Sequence, residues 1–210
     1  MIKTKENKRR LIKIASFLLL IIGISFIAFE FLTKNKIKNE ETKAIEEFYE
    51  QEFKVENKPK TEVKENSINV SSTQKTRTKK KSFYIAILKI PKINLERGLV
   101  DPKSKYNDVK YNVQIIKGSD MPSVEKGNLI LAGHSGTARI SYFRNLNKLQ
   151  QGDDIYIYYQ GKKYNYKVIN IYEVDKTGTI KILRNNKTTL TLVSCIHKED
   201  KQIVVIAERE

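Results

Sequence analysis

The chain has 210 residues, with 40 Lys and Arg against 24 Asp and Glu, a net charge of +16, two histidines and one cysteine. That length suits one ordinary domain of roughly 100 to 150 residues plus appendages, and a single cysteine excludes an internal disulfide. The positive excess is spread out, +4 over residues 1–33, +4 over 34–81 and +8 over 82–210. A nucleic-acid binder gathers such charge on one face beside a matching motif, so attraction to an anionic membrane or cell wall is expected and no nucleic-acid partner is.

Residues 1–10 are polar and basic, with Lys3, Lys5, Lys8, Arg9 and Arg10, and should stay in the cytoplasm. Residues 11–33 follow as an apolar segment, uncharged from Ile14 to Phe29, close to the ~20 residues that span a bilayer as a helix. The core is longer than the roughly 7 to 15 residues of a cleaved signal peptide. It runs into Phe26-Ile27-Ala28-Phe29-Glu30-Phe31 without a small-residue cleavage site, which predicts an uncleaved single-pass signal anchor of the plasma membrane with everything after residue 33 outside.

Residues 34–81 form a charged stalk and linker. Ala44, Ile45, Phe48, Tyr49 and Phe53 fall near helical spacing, so residues 36–55 are expected to prolong the membrane helix as an amphipathic stalk. Residues 56–81 mix charges with few large apolar side chains and are expected to be disordered.

The pattern changes at Ser82, and residues 82–210 read as one domain. Phe83-Tyr84-Ile85-Ala86-Ile87-Leu88-Lys89-Ile90 is an apolar run stopped by Pro91, as in a buried strand. Further strands are expected at 95–100, 128–132, 154–159, 164–174, 180–183, 188–195 and 203–207, with a hairpin turn at Gly161-Lys162 and short helices at 107–116 and 140–149. Seven or eight short strands without alternating long helices predict a mostly-β sandwich or barrel.

Two strands carry chemistry at their ends. Thr188-Thr189-Leu190-Thr191-Leu192-Val193-Ser194-Cys195 alternates apolar and polar residues and ends on the only thiol; Gly127-Asn128-Leu129-Ile130-Leu131-Ala132-Gly133-His134-Ser135-Gly136 ends on a histidine between glycines. A buried free cysteine often merely packs. An exported, unpaired thiol beside an imidazole is a different matter, because thiolate is a nucleophile and imidazolium can stabilise it and then protonate a leaving amine. His197, two residues after Cys195, ranks second: in a continuous strand it would stand about 6 to 7 Å away, beyond hydrogen-bond reach, and a loop is expected there. No metal is expected, since Cys195, His197 and His134 lack the usual zinc-ligand spacing, nor any cofactor. A serine elbow is excluded by Thr137 where Gly-x-Ser-x-Gly needs glycine.

Leu131-Ala132-Gly133-His134-Ser135-Gly136, followed about sixty residues later by Thr191-Leu192-Val193-Ser194-Cys195 and a last apolar strand, resembles the sortase family, class B- or D-like. The resemblance covers residues 83–208, including Ile87-Leu88-Lys89-Ile90-Pro91-Lys92-Ile93-Asn94, and the anchor and stalk agree with it. It implies a sortase-like closed β-barrel of seven to eight strands with short helices, and a cysteine transpeptidase on a Gram-positive membrane. Such an enzyme cleaves an LPXTG-like sorting signal on a surface protein, holds it as a thioester and passes it to an amine of peptidoglycan or of a pilin. On this resemblance Cys195 is the nucleophile and His134 the general acid/base, while Ser194, where the family usually has threonine, is a substrate-binding candidate.

Sortases carry an arginine at the start of the last strand, and this chain reads Lys201-Gln202-Ile203-Val204-Val205 there. Lys201 or Gln202 is therefore the candidate replacement, with Arg144 next should alanine at both leave turnover intact. Arg209 would lie about 23 Å along the strand at about 3.3 Å per residue, and is expected to be a solvated charge at the chain end. A cysteine hydrolase without transpeptidation and a non-catalytic peptide-binding module on the same barrel are the alternatives.

Overall fold

A computed structural model describes residues 2–53, 82–180 and 186–210, with side chains from Phe17 onward except Lys34. The stretch expected to be disordered, 56–81, and most of the strand expected at 180–183 lie outside the described residues. Helix α1 runs Ile2–Phe53, and the chain divides into two compact units, Met1–Lys43 and Ala44–Glu210.

Within the first unit, Phe17, Leu19, Phe26, Ile27 and Leu32 all stand exposed on α1. Among the described residues this is the one helix long and apolar enough to cross a membrane, with a mean hydropathy of 2.0 over its apolar window. A run of apolar side chains without protein cover is what hydrocarbon would cover, so the segment fits a membrane anchor.

The second unit begins with the last turns of α1. Ala44, Ile45, Phe48, Tyr49 and Phe53 share one helical face and pack with Tyr84, Ile87, Val100 and Tyr158, burying Phe48 to 1% exposure. The Tyr49 hydroxyl donates to Glu96 Oε1 at 2.9 Å, and Lys89 Nζ reaches the same oxygen at 3.3 Å. Burial first, and then the Glu96 carboxylate, push the Tyr49 phenol well above its ordinary pKa. The amphipathic stretch expected to form a stalk thus belongs, from Ala44 on, to the compact unit of the barrel.

Eight strands follow: β1 Ala86–Ile90, β2 Leu95–Leu99, β3 Gln114–Ile115, β4 Asn128–Ala132, β5 Asp154–Tyr159, β6 Lys162–Asp175, β7 Thr189–Cys195 and β8 Lys201–Arg209. They form one sheet in the order β2-β1-β5-β6-β8-β7-β4-β3. Curled into a nearly closed barrel, it encloses Leu88, Leu99, Ile115, Leu129, Leu131, Ile157, Leu190, Leu192, Val205 and Ala207. Every pairing is antiparallel except β4 with β7. Side chains bridge the seam between β2 and the approach to β3: Arg97 Nε donates to Asn112 Oδ1 at 2.6 Å, and Asn112 Nδ2 donates to the Gly98 carbonyl at 2.8 Å. Both residues are buried, and the Arg97 guanidinium lies 4.0 Å from the Tyr142 ring centre.

The hairpin turn falls one residue earlier than expected, on Gln160-Gly161, because both take positive φ (49° and 69°) as a two-residue turn between Tyr159 and Lys162 requires. The two expected helices do not form. Asn107 accepts from Ile115 N and donates to Ile115 O, at 2.7 and 2.9 Å, so its side-chain amide stands in for a neighbouring strand and holds Ile115 extended. In the second segment Phe143 N donates to the His134 carbonyl rather than to a preceding turn, leaving only the 3₁₀ turn Leu146–Lys148.

Candidate active site

The parallel pair β4 and β7 runs in register from Asn128 opposite Thr189 to Ala132 opposite Val193. Two further bonds carry that register past the sheet: Gly133 N donates to Val193 O at 3.1 Å, and Ser194 Oγ donates to Gly133 O at 2.8 Å. The next residue on each strand is His134 and Cys195. Leu129, Leu131, Leu190 and Leu192 face the core, so alternation turns Ala132, His134, Val193 and Cys195 to the other face. Cys195 is exposed and His134 half-buried. Neighbouring strands stand about 4.8 Å apart, so the register brings His134 and Cys195 to one edge of the sheet; no hydrogen bond joins them among the described residues.

Two glycines make this edge possible. A Cβ at Gly133 would sit 2.8 Å from the Phe143 ring, and Gly136 has φ +112° with His197 Nδ1 3.1 Å from where its Cβ would be. The chain after His134 therefore folds back tightly, laced by Ser141 Oγ donating to Ser135 O at 3.2 Å and Phe143 N to His134 O at 3.0 Å.

Register separates the two residues expected to replace arginine. Gln202 is paired with Cys195 across β7 and β8 and shares its face. Lys201 points to the opposite side, where its Nζ meets Glu173 Oε2 at 3.2 Å, a hydrogen bond and charge pairing that raise its pKa. Ser194 also differs from expectation: it is 3% exposed and its hydroxyl is committed to Gly133, so it ties two strands rather than facing a substrate. Arg209 is not a free solvated charge. Its Nη1 donates to Pro122 O at 3.0 Å at the far end of β8.

His197 lies in the β7–β8 turn, as a loop there predicts. It lines a cavity of about 240 Å3 together with Cys195, Arg144, Asn147, Glu199 and Ser135, floored by Phe143, Ile196 and Ile203. Sequence reasoning did not single out Glu199 or Asn147, and only the fold, which brings two loops together at the thiol, reveals them. Among the described residues no group of three His, Cys, Asp or Glu side chains could hold a metal ion.

The sortase-domain family model matches residues 88–210. The chain belongs to the sortase family. It is 25% identical to Sortase A of Bacillus anthracis over 215 residues, 96% of both chains. It is 33% identical to Sortase D of Bacillus subtilis (strain 168) over 110 residues, about half of each, 52%. The structure of Sortase A from Corynebacterium diphtheriae matches with a TM-score of 0.54 and 28% identity over 60% of each chain. Family and fold together indicate a cysteine transpeptidase.

Proposed function

We propose that this sortase is anchored by α1 with its barrel on the outer face of the membrane, and that it joins surface proteins bearing an LPXTG-like signal to an amine of peptidoglycan or a pilin. The observation that carries the reading is the parallel β4–β7 register, which delivers His134 and Cys195 to the same edge and the same face. In this scheme the Cys195 thiolate attacks the scissile carbonyl, and His134 protonates the departing amine as the C–N bond breaks. A thioester remains on sulfur until an acceptor amine attacks it. Ala132 and Val193, half-exposed beside the pair, supply apolar surface for the signal peptide.

In this scheme Gln202 donates a hydrogen bond to the oxyanion, a role supported by its pairing opposite Cys195. A neutral amide there lacks the forked charge of guanidinium. Loss of one strong oxyanion donor costs on the order of 10²- to 10³-fold in rate, so this site is expected to acylate slowly. That same substitution favours the second reading, a peptide-binding module without turnover.

The test is to mix the full chain in detergent with LPXTG-type peptides and look by mass spectrometry for an acyl adduct on Cys195. An adduct that transfers to an added amine supports the transpeptidase, and an adduct lost only to water supports a hydrolase. Peptide binding with Cys195 unmodified across several signals would overturn the enzymatic reading.

A further inference from the structure

We infer that Arg97 is a positioning residue for His134: its buried guanidinium, fixed at the barrel seam, seats the Tyr142 ring and with it the turn that returns to the imidazole. This rests on the transpeptidase reading above, in which His134 protonates the departing amine.

Three observations carry it. First, Arg97 is a buried charge that the catalytic scheme does not use. It pairs across β1 and β2 with Leu88, a core residue, and so faces the barrel interior at 8% exposure. Burying a guanidinium is costly, and an apolar side chain of similar volume often packs as well or better. A charge in that place points to a task beyond filling space.

Second, the guanidinium is fixed before it meets the turn. Its Nε donates to Asn112 Oδ1 at 2.6 Å, and Asn112 Nδ2 donates to Gly98 O at 2.8 Å, so one amide grips both Arg97 and the backbone of β2. Asn112 stands two residues before Gln114, and Gln114 pairs with Ala132, two residues before His134. The anchoring pair therefore lies at the end of the sheet where β4 delivers the imidazole.

Third, Tyr142 carries that position onward. The guanidinium carbon of Arg97 lies 4.0 Å from the Tyr142 ring centre, within cation–π range. The next residue, Phe143, donates its N–H to His134 O at 3.0 Å, and its ring packs so closely on Gly133 that a Cβ there would come within 2.8 Å. The turn is thus held at its return by a seated ring on one residue and a main-chain bond on the next. Misplacing a catalytic group by about 1 Å can cost on the order of a hundredfold in rate, so a loosened turn is felt in the proton transfer.

A matched pair of substrates separates proton delivery from folding and binding. One is an LPXTG-type peptide; in the other, mercaptoacetate replaces the glycine, so that the scissile amide becomes a thioester. An amine leaves only when protonated, whereas a thiolate departs without an acid. Single-turnover formation of the Cys195 adduct by the full chain in detergent is followed by mass spectrometry for each at saturating peptide. Arg97→Met, which keeps length and burial, should slow the amide about tenfold or more and the thioester less than about threefold. Tyr142→Leu should do the same, and the conservative Tyr142→Phe should restore the ratio of the unaltered chain. Within one preparation that ratio is independent of the fraction folded, and should Arg97→Met not fold, Tyr142→Leu decides alone. Either variant slowing both substrates equally, or leaving the amide rate unchanged, overturns the positioning role and leaves the transpeptidase reading standing. No adduct from the amide with the unaltered chain overturns both.

Discussion

Ser194 donates its hydroxyl to the carbonyl of Gly133 at 2.8 Å, joining the residue before the thiol to the residue before the imidazole. Beside the backbone bond from Gly133 N to Val193 O, the relative position of His134 and Cys195 is therefore supported by a buried bond from a side chain that points away from both.

Removing that bond should loosen the pair. Ser194→Ala leaves a buried carbonyl short of a donor at a cost of about 1 kcal/mol, a drop of about 2 to 4 °C in Tm for a domain of this size. The acylation rate should fall with it. Ser194→Thr keeps the hydroxyl and should preserve both, which thermal unfolding and adduct formation would show.

Gln202 and Lys201 should part company on substitution. Gln202→Arg restores a forked cation opposite Cys195 and is expected to speed acylation by about tenfold or more, while Gln202→Ala slows it. Lys201→Ala, on the other face and engaged with Glu173, should change acylation less than about twofold. Single-turnover adduct formation measures all three.

The helix end should contribute to the stability of the barrel unit. Phe48 is 1% exposed among Tyr84, Ile87 and Val100, so Phe48→Ala should cost about 3 to 5 kcal/mol. Urea unfolding followed by tyrosine fluorescence would reveal a cost near zero if this packing were absent in solution.

Tyr166 is 1% exposed, and its hydroxyl has no hydrogen-bond partner among the described residues. Burial pushes its pKa up to about 12, against a smaller opposing pull from Arg209. A phenol raised in the folded state favours the protonated form there. Its contribution is fully present below the unfolded value near 10 and is lost as pH climbs towards about 12. Stability should fall through that alkaline window, and Tyr166→Phe should flatten the fall while leaving stability at neutral pH equal or slightly higher.

The strand that carries the thiol was legible from its alternation of leucine with threonine, and the strand before the imidazole from its apolar run between glycines. The apolar helix and the 44–53 face were legible because, one side chain at a time, they declare what they avoid. Asn107 was not, since its amide bonds to Ile115 eight residues on, and no local preference foretells a side chain acting as a strand neighbour. The choice between Lys201 and Gln202 turned on parity. A turn one residue shorter between β7 and β8 would have set Lys201 opposite Cys195, and sequence patterns fix such lengths poorly. Arg144 and Glu199 come from separate loops, and their proximity is a product of the closed sheet alone.

The parallel joining of β4 to β7 also bears on when this protein becomes reactive. Both β5 and β6 intervene in sequence between the two strands, so His134 and Cys195 come together only through a long-range contact of the kind that forms late and slowly in folding. The edge that carries His134 and Cys195 is thus assembled only when the barrel is complete.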